Sequence, residues 1–112
     1  MIRQGYEIWY DPAVAVFHHR TPAGREVVGP AYWLANSLNK SRAAWRNLPL
    51  PYPWTVMLAW TARLILKTRR PALAWRVWAT LWQERALLAS ERQPLDTTQI
   101  DYLRRIGARL WF

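Results

Sequence analysis

The chain has 112 residues, no cysteine, nine tryptophans and a formal charge of +9. That length builds one domain with a modest core, so any function that needs two domains takes the second from elsewhere. The absence of cysteine excludes a disulfide framework, a thiolate nucleophile and sulfur-ligated zinc, and the excess of positive charge draws the surface towards phosphate on lipid, nucleotide or nucleic acid.

The N-terminal MIRQGYEIWYDPAV has no sustained apolar core and no small-residue cleavage site, so it does not read as a secretory signal. Residues 7–19, EIWYDPAVAVFHH, are rich in Val, Ile and aromatics around Asp11-Pro12, which predicts two short strands with a bend at the proline. In an extended run, Val14, Val16 and His18 share one face, and Ala15, Phe17 and His19 share the other. A two-stranded ribbon is marginal in water, so this pair is expected at the edge of a larger sheet. Residues 20–29, RTPAGREVVG, read as a loop that leads to Pro30 at a helix start.

A first helix is predicted over 31–46, with Tyr32, Ala35, Leu38 and Trp45 as its apolar stripe and Asn36, Asn39, Lys40 and Arg42 towards solvent. Pro49, Pro51 and Pro53 deny regular helix to 48–53, and Pro53 suits the first turn of the next helix, over 54–69. That second helix is apolar around most of its circumference and gathers Arg63, Lys67, Arg69 and Arg70 towards its C-terminal end, where they favour the helix dipole. The stretch from Trp54 to Leu66 is interrupted by Arg63 and falls short of the roughly 20 apolar residues that a bilayer span requires, so no transmembrane helix is expected. A third helix over 72–90 carries Trp75, Trp78 and Trp82 on one side, and Gln93-Pro94 ends it. Asp96 with Gln99 forms a capping-box pattern that starts a last helix, with Ile100, Leu103 and Ile106 as its short apolar face before Gly107. The predicted class is α+β, mainly α: a strand pair and loop over 1–29, then a basic, Trp-rich tail of about four helices over 30–112.

Residues 5–19, GYEIWYDPAVAVFHH, are followed by a Gly-containing loop, a helix that ends in Arg46-Asn47, a proline-rich step and a basic helical tail. This order resembles the C-terminal region of family 2 glycosyltransferases of GT-A fold, of the rhamnosyltransferase-like kind. The resemblance implies an activity that transfers a sugar from a nucleotide diphosphate donor to a glycan or lipid-linked acceptor. It implies that the strand pair is the edge of an incomplete GT-A-type sheet, with a divalent metal, Mg or Mn, in the parent enzyme. By the same resemblance His18 matches a metal ligand, Arg20 is placed to contact the donor diphosphate through its planar fork, and Arg46 and Asn47 lie towards the acceptor. The nucleotide-binding half, the Asp-x-Asp motif and the catalytic base do not match any part of this chain, so neither catalytic residues nor a cofactor is assigned to it alone. The missing half is its first expected partner, and nucleotide-sugar binds only with that half.

Without carboxylate partners His18 is an ordinary hydrogen-bonded histidine at a strand end, Arg20 a solvated side chain, and Arg46-Asn47 a helix-end pair. The helical tail carries a reading of its own. Trp54, Trp60, Trp75, Trp78 and Trp82 suit a headgroup boundary, and Arg63, Lys67, Arg69, Arg70 and Arg76 suit anionic lipid, so the expected location is the cytoplasmic face of a membrane. The alternative for a Trp stripe at helical spacing is core packing. Nucleic acid is the weaker partner: the sequence has no zinc-finger spacing, no RNP-like strand and no helix-turn-helix signature to accompany its charge.

Overall fold

The computed structural model describes residues 29–108 and 110. They form five helices: α1 Pro30–Asn47, α2 Tyr52–Thr68, α3 Pro71–Gln83, α4 Arg85–Ser90 and α5 Thr97–Arg105. The α+β expectation is corrected accordingly. No strand occurs among the described residues, and the strand pair predicted over 7–19 lies outside them. The helices bury their apolar stripes against one another, so the described core needs no sheet to cover it.

Proline punctuates the fold as its chemistry dictates. The first turns of α1, α2 and α3 each contain a proline, where its missing N–H removes no helical bond. Between α2 and α3 the chain turns through Arg69, whose φ of 56° is left-handed and whose N–H bonds the carbonyl of Ile65. Gly107, at φ 74°, makes the corresponding turn after α5 without a Cβ penalty. The single helix expected over 72–90 is two helices. Glu84 leaves helical geometry at φ −85°, ψ 2°, although no proline or glycine marks the place. Its side chain is held by Arg42 of α1, which donates Nε to Oε2 at 2.8 Å and pairs Nη2 with Oε1. The α3–α4 break thus coincides with a tie that lies far away in sequence.

The core consists of Met57, Leu64, Val77, Leu81 and Leu88, with Trp33, Leu34, Leu38, Trp45, Leu73 and Trp78 packed around it. α1 and α2 share the most extensive helix contact. On α1 the buried positions are Ser37, Ser41 and Ala44, small side chains that permit close approach. Ser37 is fully buried and donates its hydroxyl hydrogen to the Trp60 carbonyl at 3.1 Å. Tyr32 and Ala35, predicted for the apolar stripe, are exposed, whereas Leu38 and Trp45 do pack on the core. α5 begins with the capping box predicted for it: Asp96 accepts from the Gln99 amide at 2.8 Å, and the Gln99 side chain accepts from the Asp96 amide at 3.0 Å.

Candidate functional site

Two adjacent helices build a surface where cations lie on indole rings. Trp60, Arg63 and Lys67 recur at i, i+3 and i+7 on α2, which aligns them on one side. Trp33 and Lys40, seven residues apart on α1, meet them. The Arg63 guanidinium sits 5.5 Å from the Trp33 ring centre and 5.3 Å from that of Trp60. Lys40 lies 5.9 Å from the Trp60 ring and Lys67 lies 6.0 Å from the Trp33 ring. Both rings are half-buried and all three cations are exposed. Among the described residues the ion pairs are Arg42–Glu84, Arg46–Glu91 and Arg104–Asp101, so none of the three cations on this face has a carboxylate partner. A cation–π contact at an exposed site contributes about 0.5–1 kcal/mol. It orients the charge without neutralising it, which leaves Lys40, Arg63 and Lys67 to attract an anion. Arg69 and Arg70, exposed at the α2–α3 turn, extend the positive charge beyond the C-terminal end of α2.

Of the remaining tryptophans of the predicted surface, Trp54, Trp78 and Trp82 gather elsewhere and Trp75 stands apart. On α3 the buried stripe is Ala74, Val77 and Leu81. Trp75, Trp78 and Trp82 each follow by one residue, so they turn about 100° away from it. Trp75 and Trp82 are 77% and 69% exposed, which removes them from the core, while Trp78 is half-buried. Trp78 stacks on Trp54 at 6.3 Å, and Trp54 meets Trp45 edge-on at 5.5 Å. Trp45, Trp54, Trp78 and Trp82 wall a half-open cleft of about 440 Å³ that Ser41 and Arg85 also line. The predicted membrane set is therefore divided between a cationic face on α1 and α2 and an indole cleft centred on α3, with Trp75 exposed outside both. Sequence reasoning missed Trp33, Lys40, Ser41, Trp45 and Arg85. The i, i+7 spacing of Trp33 and Lys40, the same as that of Trp60 and Lys67, was the available signal.

Arg46 and Asn47 have local work to do. Arg46 pairs with Glu91, and Asn47 donates its side-chain amide to the Ala43 carbonyl at 2.8 Å. Their backbone carbonyls accept from the amides of Gln93 and Leu95, each at 2.9 Å. Arg92 donates to the carbonyls of Trp45 and Leu48 and lies over the Trp45 ring at 5.1 Å. Segment 91–95 thus clasps the end of α1. Nearby, the Arg42 hydrogen bond holds the Glu84 carboxyl below the usual carboxylate range, and Glu84 raises the Arg42 guanidinium in turn.

His18 and Arg20 lie outside the described residues. Among the described residues no three His, Asp or Glu side chains converge, so these helices supply no donor set for a divalent metal. No described helix is long and apolar enough to cross a membrane. Comparison with known protein families, curated proteins and solved structures gives no match for this chain.

Proposed function

We propose that this chain is the C-terminal part of a family 2 glycosyltransferase, whose helices seat the enzyme on an anionic membrane surface at the cytoplasmic face. The nucleotide-sugar site and the catalytic base belong to a half outside this chain, and the chain performs no transfer alone. The observation that carries the family reading is the order of short motifs: GYEIWYDPAVAVFHH, a Gly-containing loop, Arg46-Asn47 at a helix end, a proline step and a basic helical tail. In this reading the parent transfers sugar to a glycan or lipid-linked acceptor. His18 would join carboxylates of the missing half in holding a Mg or Mn ion, and Arg20 would contact the donor diphosphate. The ion, when bound, stabilises charge on the leaving group. In the same reading Arg46 and Asn47 lie towards the acceptor; segment 91–95 contacts both of them.

The seating role rests on the cation–indole face. Lys40, Arg63 and Lys67 offer charge to lipid phosphate, and the indoles of Trp33 and Trp60 suit the headgroup boundary. Each basic residue near an anionic leaflet contributes about 1 kcal/mol, so the three together account for roughly a hundredfold in partitioning.

The family reading is tested by the DNA upstream of Met1 and in the adjacent genes. A nucleotide-binding half with an Asp-x-Asp motif, in frame or shifted, supports it. Its absence from both places overturns it and leaves a second reading, a helical membrane-surface protein without chemistry, which the exposed cations of α1 and α2 favour independently. Seating is tested by flotation with phosphatidylserine-containing vesicles. Binding at low salt that weakens at high salt supports it, and a folded protein that stays at the bottom of the gradient overturns it.

A further inference from the structure

The indole cleft differs in chemistry from the cationic face. Its walls are Trp45, Trp54, Trp78 and Trp82, and its polar side chains are Ser41 and Arg85. Ser41 is fully buried, and its hydroxyl has no hydrogen-bond partner. A buried hydroxyl left unpaired is costly, so the fold keeps at this cleft a donor that an incoming oxygen would satisfy. Arg85 lies over the Trp82 ring at 4.6 Å and gives Nη1 to the Trp82 carbonyl at 2.9 Å. It is exposed and forms none of the ion pairs among the described residues. The Arg42–Glu84 bridge ties together the two helix segments that carry Ser41 and Arg85, and both side chains line the cleft.

These features select among ligands. A sugar ring would stack on indole, but its several hydroxyls would find too few partners in a cleft with one hydroxyl and one guanidinium. A plain hydrocarbon would leave Ser41 and Arg85 unanswered. We propose that the cleft binds a single-chain alkyl carboxylate taken up as a monomer, with its chain between the four indoles and its carboxylate at Arg85 and Ser41. The charge on Arg85 complements the head, and the indole walls complement the tail.

The test is a titration of the full chain with dodecanoate below its micelle concentration, followed by tryptophan emission and calorimetry. Saturable binding is expected, with dodecanol much weaker. Arg85→Gln is expected to weaken dodecanoate about tenfold and to leave dodecanol unchanged. Ser41→Ala is expected to weaken it several-fold while the melting temperature holds or rises, because the variant removes an unpaired hydroxyl. Trp82→Ala, at an exposed position, keeps the fold by circular dichroism and loses affinity. Equal affinity for dodecanol and dodecanoate, insensitivity to Arg85→Gln, or no saturable signal at all overturns the proposal, and a cleft already filled by a second copy would give the last of these. The titration contains no vesicles, so its failure and the failure of membrane seating are separately visible.

Discussion

Ser37, Ser41 and Ala44 occupy the surface of α1 that turns away from solvent, where the sequence pattern had favoured Tyr32, Ala35, Leu38 and Trp45. Small polar side chains read as solvent-facing because hydropathy does not register how closely two backbones approach. Ser37→Leu should therefore destabilise the fold by about 1–3 kcal/mol through overpacking, beyond the loss of its bond to the Trp60 carbonyl, as a lower urea midpoint. Glu84 carries a different residue-scale prediction. Its carboxyl is held below the ordinary 4.5 by the hydrogen bond from Arg42. The stability it contributes is thus fully present above that value and is lost as pH falls through the lowered one. Glu84→Gln should flatten the stability profile in this acid window, with little change at neutral pH other than the loss of a partly exposed pair worth about 1 kcal/mol or less. Arg42 lies 42 residues before Glu84, so no local signal announced the break between α3 and α4.

At the scale of elements, chain punctuation was the most legible feature. Pro30 and Pro53, in the first turns of α1 and α2, and the Asp96-Gln99 cap of α5 were readable because these residues act through their own backbone or one three residues away. Asp96→Ala should remove one half of the capping box and cost about 1 kcal/mol, seen as a lower melting temperature with the α1–α2 contact intact. The surface of α2 was legible in part. Trp60, Arg63 and Lys67 declare their shared side by spacing, but their partners Trp33 and Lys40 come from another helix and only packing reveals them. Replacement of Lys40, Arg63 and Lys67 by Gln should abolish flotation at low salt while helicity is unchanged, since none of the three enters an ion pair among the described residues.

Over the whole molecule, the buried cluster of Met57, Leu64, Val77, Leu81 and Leu88 draws on α2, α3 and α4, with α1 packed against it. Leu64 is fully buried, and Leu64→Ala should cost about 2–5 kcal/mol in urea unfolding. The α+β expectation rested on a strand pair read from the β-prone residues 7–19, which lie outside the described residues, whereas the described residues close their core with helices alone. Arg46 and Asn47 show the same limit: their chemistry was visible, but not the segment 91–95 that grips them. That grip joins positions more than forty residues apart through the amides of Gln93 and Leu95. Backbone amides between helices ordinarily trade their hydrogens for deuterium within seconds of dilution into heavy water. These two should keep them about as long as the interior of α1, because neither can open until the carbonyls of Arg46 and Asn47 let go. In a map of deuterium uptake the linker between α4 and α5 should therefore show slow sites at 93 and 95, on either side of Pro94, which carries no amide hydrogen.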